Sequence, residues 1–91
     1  MRSVRLVIAG RVQGVGYRAW SLSRAARLGL RGWVRNRRNG TVEALMTGDA
    51  EDVSAMIEAC RQGPPAARVT EVAVSDVEDD GSEGFTARPT V

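Results

Sequence analysis

The chain has 91 residues, enough for one domain with a modest core, since a chain of this size buries somewhat over ~60% of its unfolded surface. Its 43% hydrophobic and 26% charged composition excludes a disordered spacer, and no apolar run approaches the ~18 residues of a membrane span. The formal charge is +2 and there is no histidine, which excludes histidine triads, histidine acid–base catalysis and histidine metal sites.

Arg2, Ser3, Val4 and Arg5 open a first apolar stretch that Gly10 and Arg11 cut short, so it is not expected to be a signal peptide. The one cysteine, Cys60, has no internal disulfide partner, which fits a cytoplasmic location. All thirteen basic residues are arginine. Ten of them fall within residues 1–40, which hold no acid, so that half carries +10 and the remainder −8. This polarity points either to an anionic partner for the first half or to two halves that interleave and neutralise each other. Arginine without lysine favours bidentate recognition of phosphate or carboxylate.

Residues 3–9 alternate as a strand, with Val4, Leu6 and Ile8 on one face and Gly10 as the stop. Residues 11–18 read as a glycine-bearing loop, and 19–28 as a helix with Leu22, Ala25 and Ala26 inside and Gly29 at its end. A strand over 30–36, the Asn39-Gly40 hairpin signal and a return strand over 41–47 follow, with Val42, Ala44 and Met46 on one face. Asp49 is a helix cap, Glu51 and Asp52 suit the first turn, and Val53, Met56, Ile57 and Cys60 form an i, i+3, i+4, i+7 stripe. Gly63-Pro64-Pro65 ends that helix. Residues 67–76 make a further strand, with Val69 on one face and Val72 and Val74 on the other, and 76–83 a solvated acidic turn. A short strand over 85–88 is confined to an edge by Pro89. The order predicts a single domain over 1–91. Its class is α+β, a ferredoxin-like βαββαβ sandwich whose four- to five-stranded, mainly antiparallel sheet carries two helices on one face.

Two segments carry chemistry. Gln13, Gly14, Val15, Gly16, Tyr17 and Arg18 lie between the first strand and first helix. Glycines there allow inward-pointing N–H groups, the helix N-terminus attracts anions, and Arg18 can bind a phosphate with two parallel hydrogen bonds. A purely structural turn would use the same glycines. The spacing is neither a dinucleotide-binding fingerprint nor a Walker A loop. Asn36, at the end of the second strand, offers a carboxamide that can accept from a water and donate to an oxyanion; a turn-forming asparagine is the plainer reading.

Taken together, the segments resemble the acylphosphatase family. The similar stretches are Gly10-Arg11-Val12-Gln13-Gly14-Val15-Gly16-Tyr17-Arg18, then Ala26-x-x-Gly29-Leu30-x-Gly32-Trp33-Val34-Arg35-Asn36, then Asn39-Gly40-Thr41-Val42-Glu43. The likeness continues through Gly48 and Gly63-Pro64-Pro65-Ala66-Ala67-Arg68-Val69. It implies hydrolysis of carboxylate–phosphate mixed anhydrides, such as carbamoyl or benzoyl phosphate, to carboxylate and inorganic phosphate. It implies no cofactor, no metal and no covalent phospho-enzyme. The family's catalytic arginine corresponds to Arg18 and its catalytic asparagine to Asn36, with the phosphate held by the loop from Gln13 to Arg18. Tyr17 stands where phenylalanine is more usual, and its hydroxyl needs a partner; Asn39 replaces a common aspartate.

The residue chemistry agrees, because an activated acyl phosphate asks mainly for positioning and electrostatics. The expected partners are a small acyl phosphate and inorganic phosphate as product and inhibitor, with no nucleic acid and no membrane, and the chain is expected to be a monomer. Two other readings share the βαββαβ order: an RNA-binding module, for which Tyr17, Trp20, Trp33 and Phe85 lack the spacing of paired sheet aromatics, and a non-catalytic anion sensor, against which Arg18 and Asn36 together argue. Cys60 and both tryptophans are expected to be packing residues. Asp79 and Asp80 are expected in solvent.

Overall fold

The computed structural model describes residues 1–91 as β1 (Arg2–Arg11), α1 (Tyr17–Arg27), β2 (Arg31–Asn36), β3 (Val42–Gly48), α2 (Ala50–Gln62), β4 (Arg68–Asp76) and β5 (Phe85–Ala87). The sheet order is β4-β1-β3-β2-β5. β1 pairs antiparallel with β3 and β4, and β2 antiparallel with β3. β5 joins β2 in parallel at the edge. This is the ferredoxin-like arrangement with a short fifth strand.

Strand alternation fixes what each face carries. Val4, Leu6 and Ile8 oppose Met46, Ala44 and Val42 on β3, and Val34 opposes Ala44 from the other side. These residues share one buried cluster with Tyr17 and Ala25 of α1 and Val53, Met56, Ile57 and Cys60 of α2. Both helices therefore cover the same face of the sheet. Each large aliphatic residue withdrawn from water in this way contributes about 1.5–3 kcal/mol.

Three expectations about the elements are corrected. Gly10 does not end β1. The strand runs on to Arg11 through a bulge in β4, where Ala9 faces Glu71 but Gly10 faces Val69. A Cβ on Gly10, whose φ is +121°, would collide with the Arg68 carbonyl, so glycine permits the close approach. The extra residue, Thr70, also restores the parity of β4. Val69 and Val72 consequently lie on the same, core-facing side and both pack against the core, rather than on opposite faces.

The third correction concerns α1, which starts at Tyr17. Its buried face is Tyr17, Ser21 and Ala25, while Ala26 is exposed and Leu22 half-buried. Ser21 Oγ donates to the Tyr17 carbonyl at 2.8 Å, so the buried hydroxyl is satisfied.

The acidic segment lies in solvent as expected, and it is also tied to β2. Asp79 pairs with Arg31, and Asp80 accepts a hydrogen bond from Trp33 Nε1 at 3.1 Å. α2 follows its sequence reading closely: Asp49 caps it, and Val53, Met56, Ile57 and Cys60 are its buried residues.

On the helix-free face, Glu43 is buried beneath arginines. Arg5 Nε and Arg35 Nε donate to it at 2.6 Å and 2.7 Å, and Arg37 approaches at 3.4 Å. Burial alone would raise the Glu43 carboxyl, but hydrogen bonds from Arg35 and Arg5 outweigh it and hold the group below the usual carboxylate range. The two halves do interleave: five of the ten arginines of the first half reach acids of the second, although three of them share the single charge of Glu43.

Candidate active site

The loop after β1 turns into α1 at Gly16, whose left-handed φ of 79° and ψ of 19° few other residues adopt without strain. Gly16 supplies no side-chain cap, and the first turn of α1 holds no acid. The first intrahelical bond runs from Trp20 N to the Gly16 carbonyl. No backbone N–H from Gly14 through Ala19 donates to another group of the protein. These donors and the helix dipole make a positive cradle.

Arg18, the second residue of α1, is exposed and forms no ion pair. Arg5, Arg31, Arg35 and Arg37, by contrast, are paired with acids. Asn36 is the last residue of β2 and shares the helix-bearing face with Val34. Arg35 and Arg37, on either side of it, turn instead to Glu43 on the far face. The Asn36 carboxamide has no hydrogen-bond partner within the chain; the backbone carbonyl of Asn36 accepts from Val91 N at 3.3 Å.

Arg18, Asn36, Gly14 and Gly16 line one cleft of about 340 Å³. The side chains of two of the expected loop residues lie elsewhere. The Gln13 side chain reaches the β2–β3 hairpin, where its Nε2 donates to the Arg37 and Thr41 carbonyls at 2.6 Å and 2.9 Å. Val15 is half-buried against the core. Tyr17 lies at the floor of the cleft, and its hydroxyl finds its partner in the Cys60 carbonyl at 2.6 Å. Burial, reinforced by Cys60, pushes the Tyr17 hydroxyl well above its ordinary value, and burial pushes the Cys60 thiol up to about 11. Neither group is ionised near neutral pH, so neither is a ready nucleophile or base.

The remaining walls are apolar: Val12, Ala19, Leu22 and Ala87. Leu22 was legible as the residue one turn after Arg18 on the same helix face. Ala87 carries no local signal; only the parallel docking of β5 on β2 brings it there. No cluster of three or more His, Cys, Asp or Glu side chains stands together in a way that would hold a metal ion. Nor does any helix have the length and apolarity to cross a membrane.

The acylphosphatase family model matches residues 4–87. An acylphosphatase of Thermococcus kodakarensis is 59% identical over 88 residues, 93% of this chain and 96% of that one. An acylphosphatase of Acidiphilium cryptum is 50% identical over 90 residues, 99% of each chain. The crystal structure of acylphosphatase from Bacillus subtilis superposes with a TM-score of 0.93 at 35% identity, covering 97% of this chain and 99% of that one.

Proposed function

The chain belongs to the acylphosphatase family, hydrolases of acyl phosphates, and on that premise we propose how its residues divide the work. Residues 1–91 act as one domain. The phosphoryl group sits at the N-terminus of α1, held by the loop N–H groups and the Arg18 guanidinium. The Asn36 carboxamide orients a water for attack at phosphorus. The carboxylate leaves without protonation, because it is already a weak base. The attacking water gives its proton to a phosphate oxygen of the substrate, as no carboxylate of the chain lines the cleft. The donors are fixed before the substrate arrives, so they stabilise the spread charge of the transition state with little reorganisation.

One observation carries this reading: Arg18 and Asn36, on separate elements and both free of internal hydrogen-bonded partners, line the same cleft as the uncapped start of α1. Its test is hydrolysis of benzoyl phosphate by protein treated with a chelator, with inorganic phosphate as competitive inhibitor. Arg18→Ala and Asn36→Ala each lower turnover at least ~10²-fold with the fold intact, the loss typical of a missing transition-state donor. Turnover no faster than the buffer rate favours the anion-sensor reading, and an active variant reassigns its residue. The RNA-binding reading loses its stacking surface. Trp33 is only 6% exposed, with the Arg35 and Arg88 guanidinium groups 4.6 Å and 4.7 Å from its ring centre.

A further inference from the structure

The two halves of the cleft stand on strands that are not neighbours. The loop leaves β1, Asn36 ends β2, and β3 lies between them. Val42 of β3 faces Ile8 on one side and Asn36 on the other. Two strand spacings, roughly 10 Å, therefore separate the backbones from which the phosphate cradle and Asn36 depart. No ladder hydrogen bond sets the gap between them directly.

Gln13 crosses that gap. It immediately precedes Gly14 of the cleft, and its Nε2 bonds the carbonyls of Arg37, next to Asn36, and Thr41, across the hairpin. Both acceptors are carbonyls, so the amide nitrogen and not the oxygen must face them. The Thr41 carbonyl also accepts the Arg37 N–H at 2.8 Å, so Gln13 joins the bond that closes the hairpin. No other hydrogen bond links residues 12–16 to residues 36–41. From the far side of the sheet, Glu43 holds Arg35 and Arg37. Asn36 is thus flanked by residues held through their side chains by Glu43, and Arg37 is held through its carbonyl by Gln13 as well.

We propose that Gln13 is a positioning residue: its carboxamide holds the hairpin carbonyls beside Asn36 and so sets the distance between the Asn36 carboxamide and the phosphate cradle. The proposal rests on the role given to Asn36 above. Gln13 acts through Asn36 and touches neither the phosphoryl group nor the water. Its removal therefore lowers turnover but leaves phosphate binding, which depends on the loop N–H groups and Arg18, as it was.

Gln13→Met keeps the length of the side chain and removes both donors. It is expected to lower kcat on benzoyl phosphate by ~10-fold or more, the scale of a small misplacement of a reacting group. The inhibition constant of inorganic phosphate is expected to stay as in the parent. In an Asn36→Ala background the same substitution is expected to cause no further loss, since the residue it positions is gone. An unchanged kcat, an equal fold-loss in both backgrounds, or a weakened phosphate inhibition matching the loss in kcat overturns the proposal. Full activity in Asn36→Ala alone overturns the underlying reading instead, which separates the two failures. Gln13→Glu gives a second test should the methionine variant not fold. Its protonated carboxyl can donate one of the two bonds, so its activity relative to the parent rises as pH falls through the carboxylate range. A ratio that does not change with pH overturns the proposal.

Discussion

The two helices begin in opposite ways. At the start of α2, the Asp49 carboxylate accepts the Glu51 N–H at 3.1 Å, and Glu51 and Asp52 supply negative charge to the first turn. At the start of α1 there is a glycine without a side-chain cap, no acid, and an arginine at the second position. The physical problem is the same at both ends, because every helix begins with unpaired N–H groups and a partial positive charge. α2 solves it with its own side chains. α1 leaves those groups without a partner inside the chain. A helix end that lacks an internal solution, beside a cleft, carries information that a well-capped end does not.

Giving α1 the charge pattern of α2 is the sharpest way to break this contrast. Arg18→Glu places an acid where the helix dipole favours it, so stability holds or rises by about 0.3–1 kcal/mol. Turnover of benzoyl phosphate falls by at least ~10²-fold, because a donor becomes a like charge. Thermal melting and a rate assay on the same sample check both halves, and retained activity would mean that α1 does not hold the phosphate.

Glu43 extends the contrast to the arginines, since Arg5 and Arg35 are occupied by it while Arg18 has no internal partner. Glu43→Gln leaves those arginines half-served and costs about 2 kcal/mol at neutral pH. Its carboxyl is held below the ordinary value of 4.5 in the folded chain. The stabilisation is therefore full above that ordinary value and is lost as pH falls through the lower folded one. In denaturant titrations the gap between parent and Glu43→Gln narrows on acidification below that ordinary value. A constant gap would deny the linkage.

Ligand-dependent melting separates the helix ends further. Inorganic phosphate at about ten times its dissociation constant stabilises the parent by about 1.4 kcal/mol. That gain disappears in Arg18→Glu and persists in Asp49→Ala. The smallest effect is that of Asp49→Ala itself, which loses about 1 kcal/mol with the loss of a cap while turnover stays at the parent level. Reduced turnover there would connect α2 to the chemistry.

The sequence shows what is local and hides what is not. The stripe and cap of α2 are complete within its own residues, so periodicity places Val53, Met56, Ile57, Cys60 and Asp49 correctly. The β2–β3 hairpin is announced by Asn39-Gly40, whose Asn39 side chain accepts from Thr41 N at 3.1 Å. The start of α1 is displaced because Tyr17 and Arg18 read as the end of the loop, and only the distant Cys60 carbonyl shows why Tyr17 belongs inside. Val69 and Val72 are assigned to opposite faces because a bulge has no period. The attachment of Asp79 and Asp80 to Arg31 and Trp33 links residues far apart in the chain, and opposite charges at such separations leave no pattern to read. At the site, Arg18, Asn36 and the two glycines are legible as residue types with a chemistry. The turn of Gln13 away from the cleft and the arrival of Ala87 are consequences of strand order, which no short window contains.

The aromatic placement gives the protein two separate optical reporters. Trp20 is half-buried in the first turn of α1, edge-on to Tyr17 with ring centres 5.3 Å apart. Trp33 has two guanidinium groups against its ring and its N–H held by Asp80, far from that helix end in the chain. Replacing either indole with phenylalanine leaves a single tryptophan, so excitation selective for indole reports the start of α1 through Trp20 and the attachment of the acidic segment to the sheet through Trp33.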